Sequence, residues 1–115
     1  MKKILALIAV LSFALVVFAA EKGPETIDLS KAFNVEKTTK KPVAFPHAFH
    51  QTKNECTECH MSAEGGKALK NINTGAQLEV GTVKGTSNNV HKEFCWACHK
   101  AKKVKSGTSC NKCHK

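Results

Sequence analysis

The sequence predicts a small domain that is mostly irregular and α-helical, begins with a short two-stranded β-hairpin, and has too little apolar sequence to build its own core. The first 20 positions are the most apolar part of the chain. The rest of the chain holds no Tyr, one Trp and four Phe. A domain of about 100 residues buries only a modest fraction of its surface. Small domains compensate with disulfides, metals or cofactors, so we expect bound groups to fill the interior.

The first 19 residues are typical of a secretory signal peptide. The positive start Met1–Lys3 precedes the apolar run Ile4–Ala20, after which the chain turns polar. Small residues predict cleavage after Ala19 or Ala20, leaving one domain over residues 20–115. An uncleaved membrane anchor is the alternative, since the run is close to the roughly 20 residues that a span needs. We expect a periplasmic protein with no membrane span in its mature form.

Six cysteines form three identical C-x-x-C-H units. They are Cys56-Thr-Glu-Cys59-His60, Cys95-Trp-Ala-Cys98-His99 and Cys110-Asn-Lys-Cys113-His114. This is the attachment signature of c-type haem. Two thiols add to the vinyl groups on one porphyrin edge, and the adjacent histidine can bind the iron. The sequence therefore predicts three haem c groups, with all six cysteines as covalent attachment residues.

Three other uses of these cysteines are weaker. Three disulfides would suit an exported chain but leave the histidine after every pair unexplained. A four-thiolate zinc site from the first two pairs would have an unusually long gap and would orphan the third pair. A thioredoxin-like site would need one C-x-x-C in a βαβ setting rather than three in this chain.

The remaining histidines match the number of sixth iron ligands that three haems need. Removing His60, His99 and His114 leaves His47, His50 and His91. Met61, the one methionine outside the signal, directly follows His60 and cannot reach the opposite face of that haem. Ligation of each iron by two histidines is the economical interpretation. The alternative is a surface histidine and an open iron, which would indicate ligand binding or catalysis.

The positive charge comes from lysine alone. The chain has 18 Lys, no Arg and 9 acidic residues, giving a net charge of +9, or +7 without the signal peptide. Nucleic-acid sites favour Arg and stacking aromatics, so we expect no nucleic-acid partner. Haem propionates would offset much of the lysine excess. Lys100, Lys102 and Lys103 are either a solvated helix end or a docking patch for an acidic partner.

Local patterns place the predicted sites on short elements. Thr26–Leu29 and Lys41–Phe45 alternate as strands do. Pro46 favours the first position of a helical turn that carries His47 and His50 on one side. A helix is predicted over Asn89–Lys103, with Asn88 or Asn89 as its cap. Between the first and second motifs, Met61–Val90 is a Gly- and Asn-rich spacer in which residues 77–83 have the pattern of a short hairpin.

Together these residues resemble the triheme class III cytochromes c, the cytochrome c7 family, which are related to the tetraheme cytochromes c3. The resemblance runs through Pro42–His50, the three motifs and His91, and departs at the spacer. It implies a multihaem fold organised around three closely packed haems. It also implies the axial pairs His47/His60, His50/His99 and His91/His114.

The resemblance further implies a monomeric electron carrier of low reduction potential rather than an enzyme, with no catalytic residue. Its partners would be inner-membrane quinol-oxidising cytochromes and terminal or outer-membrane reductases of anaerobic respiration. A haem sensor or small reductase with one open iron is the alternative function, and carbon monoxide binding separates the two. A zinc-binding structural module is a third possibility, and it would give a colourless protein.

Overall fold

A computed structural model describes residues 23–115, so the predicted signal peptide lies outside the described residues. Short elements alternate with irregular chain, and a single two-stranded sheet lies at the start of the described part, as predicted. In chain order the elements are β1 (Thr26–Asp28), α1 (Leu29–Ala32), β2 (Ala44–Pro46), α2 (His47–Gln51), α3 (Cys56–Cys59), a π-helix (Val90–Cys95), α4 (Trp96–Ala101) and α5 (Cys110–Cys113).

The sheet is antiparallel, and it positions the first two candidate ligands. Ile27 lies opposite Phe45 in the register. The Asp28 carboxylate caps α1 by accepting the Ser30 N–H at 3.0 Å, which ends β1 and turns the chain. Pro46 closes β2 and is the N-cap of α2, one position earlier than predicted. Because β2 runs directly into α2, pairing with β1 fixes where α2 begins.

The apolar core is as small as the composition predicts. Among residues 23–115 the buried hydrophobic side chains are Leu78 and Val90, and Asn88 is the buried polar one. Two aliphatic side chains cannot offset the entropy of ordering a chain of this length. Side chains alone therefore do not account for a stable fold.

Main-chain hydrogen bonds join the spacer Met61–Val90 to the rest of the domain, although it has no named helix or strand before the π-helix begins at Val90. The Lys70 N–H donates to the Cys59 carbonyl at 2.8 Å, and the Ile72 N–H donates to the Glu93 carbonyl at 2.8 Å. The hairpin predicted within residues 77–83 is not formed, because Gln77 instead makes an isolated bridge with Lys70. The spacer thus connects the first motif to the segment that carries His91.

The helix predicted over Asn89–Lys103 is two elements rather than one. Its first part is the π-helix Val90–Cys95, and α4 continues from Trp96 to Ala101. Of the two predicted caps, Asn89 occupies the N-cap position, whereas Asn88 makes the hydrogen bond: its side-chain oxygen accepts the His91 N–H at 3.0 Å. A π-helix spreads the turn over an extra residue, and such turns are frequent at functional sites.

Candidate functional site

The C-x-x-C-H units adopt helical turns. In the first and third units the two cysteines bound a four-residue helix, and the histidine N–H donates to the carbonyl of the first cysteine at 2.8 and 2.9 Å. In the second unit, Cys95 ends the π-helix and Cys98 lies in α4. Cysteines three apart on a helical turn share one side, which suits attachment to one porphyrin edge.

The three motifs are neighbours, and their six thiols are free. Cys98 opposes ionisation of the Cys59 thiol, and Cys113 and Cys59 oppose ionisation of the Cys95 thiol, so the second motif lies near both other motifs. Burial raises the pKa of the Cys95 thiol to about 12. Burial also raises the pKa of Cys59, and the Cys98 charge adds to the effect. The four-thiolate zinc site is not assembled: within residues 23–115 no group of three or more metal-binding side chains surrounds a common point.

The six histidines approach one another in three pairs. Ring centroids are 6.3 Å apart for His47 and His60, 6.4 Å for His50 and His99, and 6.4 Å for His91 and His114. A metal ion binds an imidazole nitrogen at about 2.0 Å, and the ring centre lies about 1.1 Å beyond, so rings on opposite sides of one ion have centroids about 6.2 Å apart. The separations therefore fit one iron between each pair, and the pairs are those that the resemblance implies.

Hydrogen bonds hold each ring through Nδ1. In five histidines Nδ1 lies 2.5 to 2.9 Å from a main-chain carbonyl oxygen. The ring and carbonyl partners are His47 with Pro24, His50 with Pro46, His60 with Gly66, His99 with Gly107, and His114 with Lys41. A carbonyl at Nδ1 fixes the tautomer of a ligand histidine and leaves Nε2 for the metal. Sequence reasoning missed these partners, because any residue supplies a carbonyl.

The sixth ring, that of His91, has different surroundings. Its Nδ1 lies 2.9 Å from the side-chain nitrogen of Asn88, and its face stacks on Trp96 with centroids 4.7 Å apart. Burial lowers the pKa of His91, and main-chain groups of Thr86 and Gly85 act in the opposite direction.

Exposed apolar side chains adjoin the histidine pairs. Among residues 23–115 the large hydrophobic residues that remain exposed are Phe49, Met61 and Val104. Phe49 lies edge-on to His50, Met61 follows His60, and the Val104 N–H donates to the His99 carbonyl. Exposed apolar side chains next to residues of the histidine pairs, together with the histidine donor set, suit a large apolar group such as haem.

Gly107 contributes to the site through its lack of a side chain. A Cβ there would lie 2.7 Å from Cβ and 2.9 Å from Cγ of His99. Both atoms are close to the main chain and cannot swing away. The loop carbonyl can hold the His99 ring only because residue 107 has no side chain.

We expect Gly107→Ala to displace His99 and weaken the low-spin spectrum of one haem. Thr108→Ala, an exposed neighbouring change, is the control. Absorption spectra and thermal unfolding of the two holoproteins measure the difference. If Gly107→Ala matches Thr108→Ala in both, the close packing against His99 has no functional consequence.

Lys102 joins the first motif to the second. Its Nζ donates to Glu58 Oε1 at 2.7 Å and to Asn54 Oδ1 at 2.6 Å, and its own N–H donates to the Cys98 carbonyl. The hydrogen bond from Lys102 holds the pKa of Glu58 below its usual range, and the Glu55 N–H adds to this. Lys102 thus makes an internal contact, which leaves Lys100 and Lys103 for a docking patch.

We expect Glu58→Gln to lower the stability of the holoprotein slightly at neutral pH, since both partners are half exposed. Because folding lowers the pKa of Glu58, its contribution is present above the unfolded-state pKa and is lost as pH falls through the folded-state pKa. Denaturant unfolding at neutral and acidic pH, with the exposed Glu36→Gln as control, measures this. A deficit that persists once Glu58 is protonated would contradict the ion pair as its source.

Covalent-attachment motifs beside paired histidines are the features that define a c-type cytochrome. The sequence profile of the Class III cytochrome C family matches residues 24–114. Cytochrome c3 of Desulfovibrio desulfuricans is 31% identical over 86 residues, which is 68% of this chain and 82% of that protein. No solved structure matches. The chain therefore belongs to the class III cytochrome c family, whose members carry c-type haem and transfer electrons.

The family confirms the coarser part of the sequence predictions. A multihaem electron-transfer protein with redox partners is what class III membership indicates. The triheme cytochrome c7 subtype, the axial ligand set and the periplasmic location stay predictions. In the described part of the chain, no helix has the length and apolar character that crossing a bilayer requires.

Proposed function

We propose that this chain is a triheme electron carrier in which each iron has two histidine ligands. The observation that carries the proposal is the set of three ring pairs with centroids 6.3 to 6.4 Å apart. Every histidine of the chain belongs to one pair. No histidine is left over, which supports closed irons rather than the open iron of a sensor or reductase.

Different residues would attach the three haems and bind their irons. The six cysteines of the motifs would form the thioether bonds, and the pairs His47/His60, His50/His99 and His91/His114 would bind the irons. Main-chain carbonyls keep five of the six rings in place. Each haem, when bound, carries one electron by cycling between ferric and ferrous iron. Two histidine ligands and exposure to water favour low reduction potentials.

The neighbouring motifs support passage of electrons within the molecule. Burial raises the pKa of Cys95, and so do the nearby thiols of Cys113 and Cys59, which belong to the third and first motifs. Groups attached there would lie close together, so the protein would act as a short wire and a small store of charge.

The predicted signal peptide and the family membership support a proposal for the cellular location and the partners. We propose a monomer in the periplasm that receives electrons from inner-membrane quinol-oxidising cytochromes and delivers them to terminal or outer-membrane reductases in anaerobic respiration. Lys100 and Lys103 are candidates for contacts with acidic partners.

A reductive titration of the protein matured in a periplasm tests this proposal. We expect three electrons per chain, reversible couples at low potential, and an unchanged spectrum when carbon monoxide is added to the reduced form. Fewer than three electrons would contradict the triheme assignment. Carbon monoxide binding to the wild-type protein would favour a sensor or reductase with one open iron.

A further inference from the structure

The side chain of Trp96 connects two of the candidate haem sites. Trp96 lies between Cys95 and Cys98 in the second motif. Its indole ring, however, stacks on His91, whose ring is paired with that of His114. The centroids of the stacked rings are 4.7 Å apart and their planes are tilted by 19°. A side chain within the attachment motif of one haem therefore packs against the candidate axial ligand of another.

The π-helix Val90–Cys95 brings these two rings together. The Trp96 N–H donates to the carbonyl of His91, five residues earlier, and this hydrogen bond closes one turn of a π-helix. Residues five apart therefore lie nearly one above the other. In an α-helix of about 3.6 residues per turn, the same two side chains would be about 140° apart around the axis and would point to different sides. The π-helix thus has a local purpose, which is to place Trp96 against His91.

The stack restrains the plane of the His91 ring. Both rings are half-buried. Main-chain groups of Gly85 and Thr86 form hydrogen bonds with the His91 ring, and these hold its edge. A flat aromatic surface against the face of the ring limits how far its plane can turn about the bond from Nε2 to iron. The surroundings of a ligand histidine thereby set its orientation on the metal.

The three histidine pairs differ in the angle between their ring planes. The angles are 85° for His47 with His60, 25° for His50 with His99, and 66° for His91 with His114. In ferric low-spin haem, the angle between two axial imidazole planes sets the energy separation of the iron orbitals that share the unpaired electron. Crossed planes bring these orbitals together and raise the largest g value in electron paramagnetic resonance, whereas parallel planes separate them. The orientation of a single ligand ring can therefore be measured.

We infer that Trp96 is a positioning residue that sets the orientation of the His91 ring on its iron, and with it the electronic structure of the haem that His91 and His114 hold. This inference rests on the proposed function. Haem attachment does not itself require Trp at this position, because Thr57 and Asn111 occupy it in the other two motifs. Replacing Trp96 should therefore leave the second motif able to bind its own haem.

The test is Trp96→Leu, which removes the flat ring and keeps an apolar side chain. Trp96→Phe is the conservative variant, since its ring can still stack on His91. Thr57→Ala is the matched control, because it changes the same position of the first motif, where the side chain is exposed. Electron paramagnetic resonance and ¹H NMR of the haem methyl groups in the ferric holoproteins are the readouts. The signals of the His91/His114 haem are identified as those that become high-spin in His91→Ala.

We expect Trp96→Leu to keep three haems per chain and to shift and broaden the signals of the His91/His114 haem alone, because the unrestrained ring takes a range of orientations. Trp96→Phe should retain most of the wild-type signal, and Thr57→Ala all of it. Unchanged signals of that haem in Trp96→Leu, an equal change in Trp96→Phe, or a change confined to the haem of the second motif would overturn the role of Trp96. A wild-type protein without three low-spin ferric signals would instead contradict the proposed function, before any variant is compared.

Discussion

Replacing His47 or His50 by Ala should open one iron each, and replacing both should open two. The two residues lie three apart on α2, but their rings approach different partners, His60 and His99. Without its distal ring an iron loses one ligand, becomes high-spin and binds carbon monoxide when reduced. Carbon monoxide titration of the reduced proteins should therefore give none per chain for wild type, one for each single variant and two for the double variant.

Phe49→Ala is the matched control for these variants. Phe49 lies between the two histidines and is 58% exposed, and it contacts the edge of the His50 ring. Its removal should leave all irons closed. A double variant that binds only one carbon monoxide would mean that His47 and His50 do not serve different irons.

The chain without haem should be unfolded. Among the described residues the buried apolar side chains are Leu78 and Val90, which is far too little burial to offset chain entropy. Chain produced in a reducing cytoplasm, where haem is not attached, should give a random-coil circular dichroism spectrum and rapid amide exchange. The holoprotein should be helical and unfold cooperatively.

Cysteine variants of single motifs test how much each haem contributes to the stability of the fold. Replacing Cys95 and Cys98 by Ser should be more damaging than replacing Cys110 and Cys113, because Cys95 and Cys98 are partly buried whereas the last two cysteines are exposed. Thermal unfolding of the two double variants makes the comparison. A folded haem-free chain would show that the haems do not organise the interior, and equal losses in the two variants would contradict the greater importance of the second motif.

The sequence predicted most of the chemistry because the chemistry has a covalent signature. Three C-x-x-C-H units and a matching count of free histidines define the candidate ligands without any knowledge of the fold. The histidine pairs came from the resemblance and not from spacing. His47 and His50 both lie shortly before the first motif in the chain, so distance along the sequence cannot tell which iron each serves.

The hydrogen-bond partners of the histidine rings and the packing of Gly107 could not be predicted from the sequence. The ring partners of His60, His99 and His114 are carbonyls, which every residue carries, and the contact of Gly107 with His99 depends on how a loop closes. Asn88 was one of two predicted caps and does accept the His91 N–H, but its second contact, with Nδ1 of His91, could be found only in the structure.

The local errors have physical causes. The helix over Asn89–Lys103 is predicted from signals at its ends, and such signals do not distinguish an α-helix from a π-helix with about one more residue per turn. The strand-like pattern at residues 77–83 gave no hairpin, because Leu78 is buried and its N–H donates to the Leu69 carbonyl instead. Tertiary contacts overrode local preference in both segments.

The haem content of the protein matured in a periplasm with the attachment machinery tests the central assignment most directly. A pyridine haemochrome assay against total protein counts the haems bound to each chain. We predict three, all retained after denaturation because they are covalently attached. Two haems per chain would mean that one motif and its histidine pair do not bind haem. A colourless protein would contradict the assignment altogether, and the six cysteines would then be explained by zinc binding or disulfides.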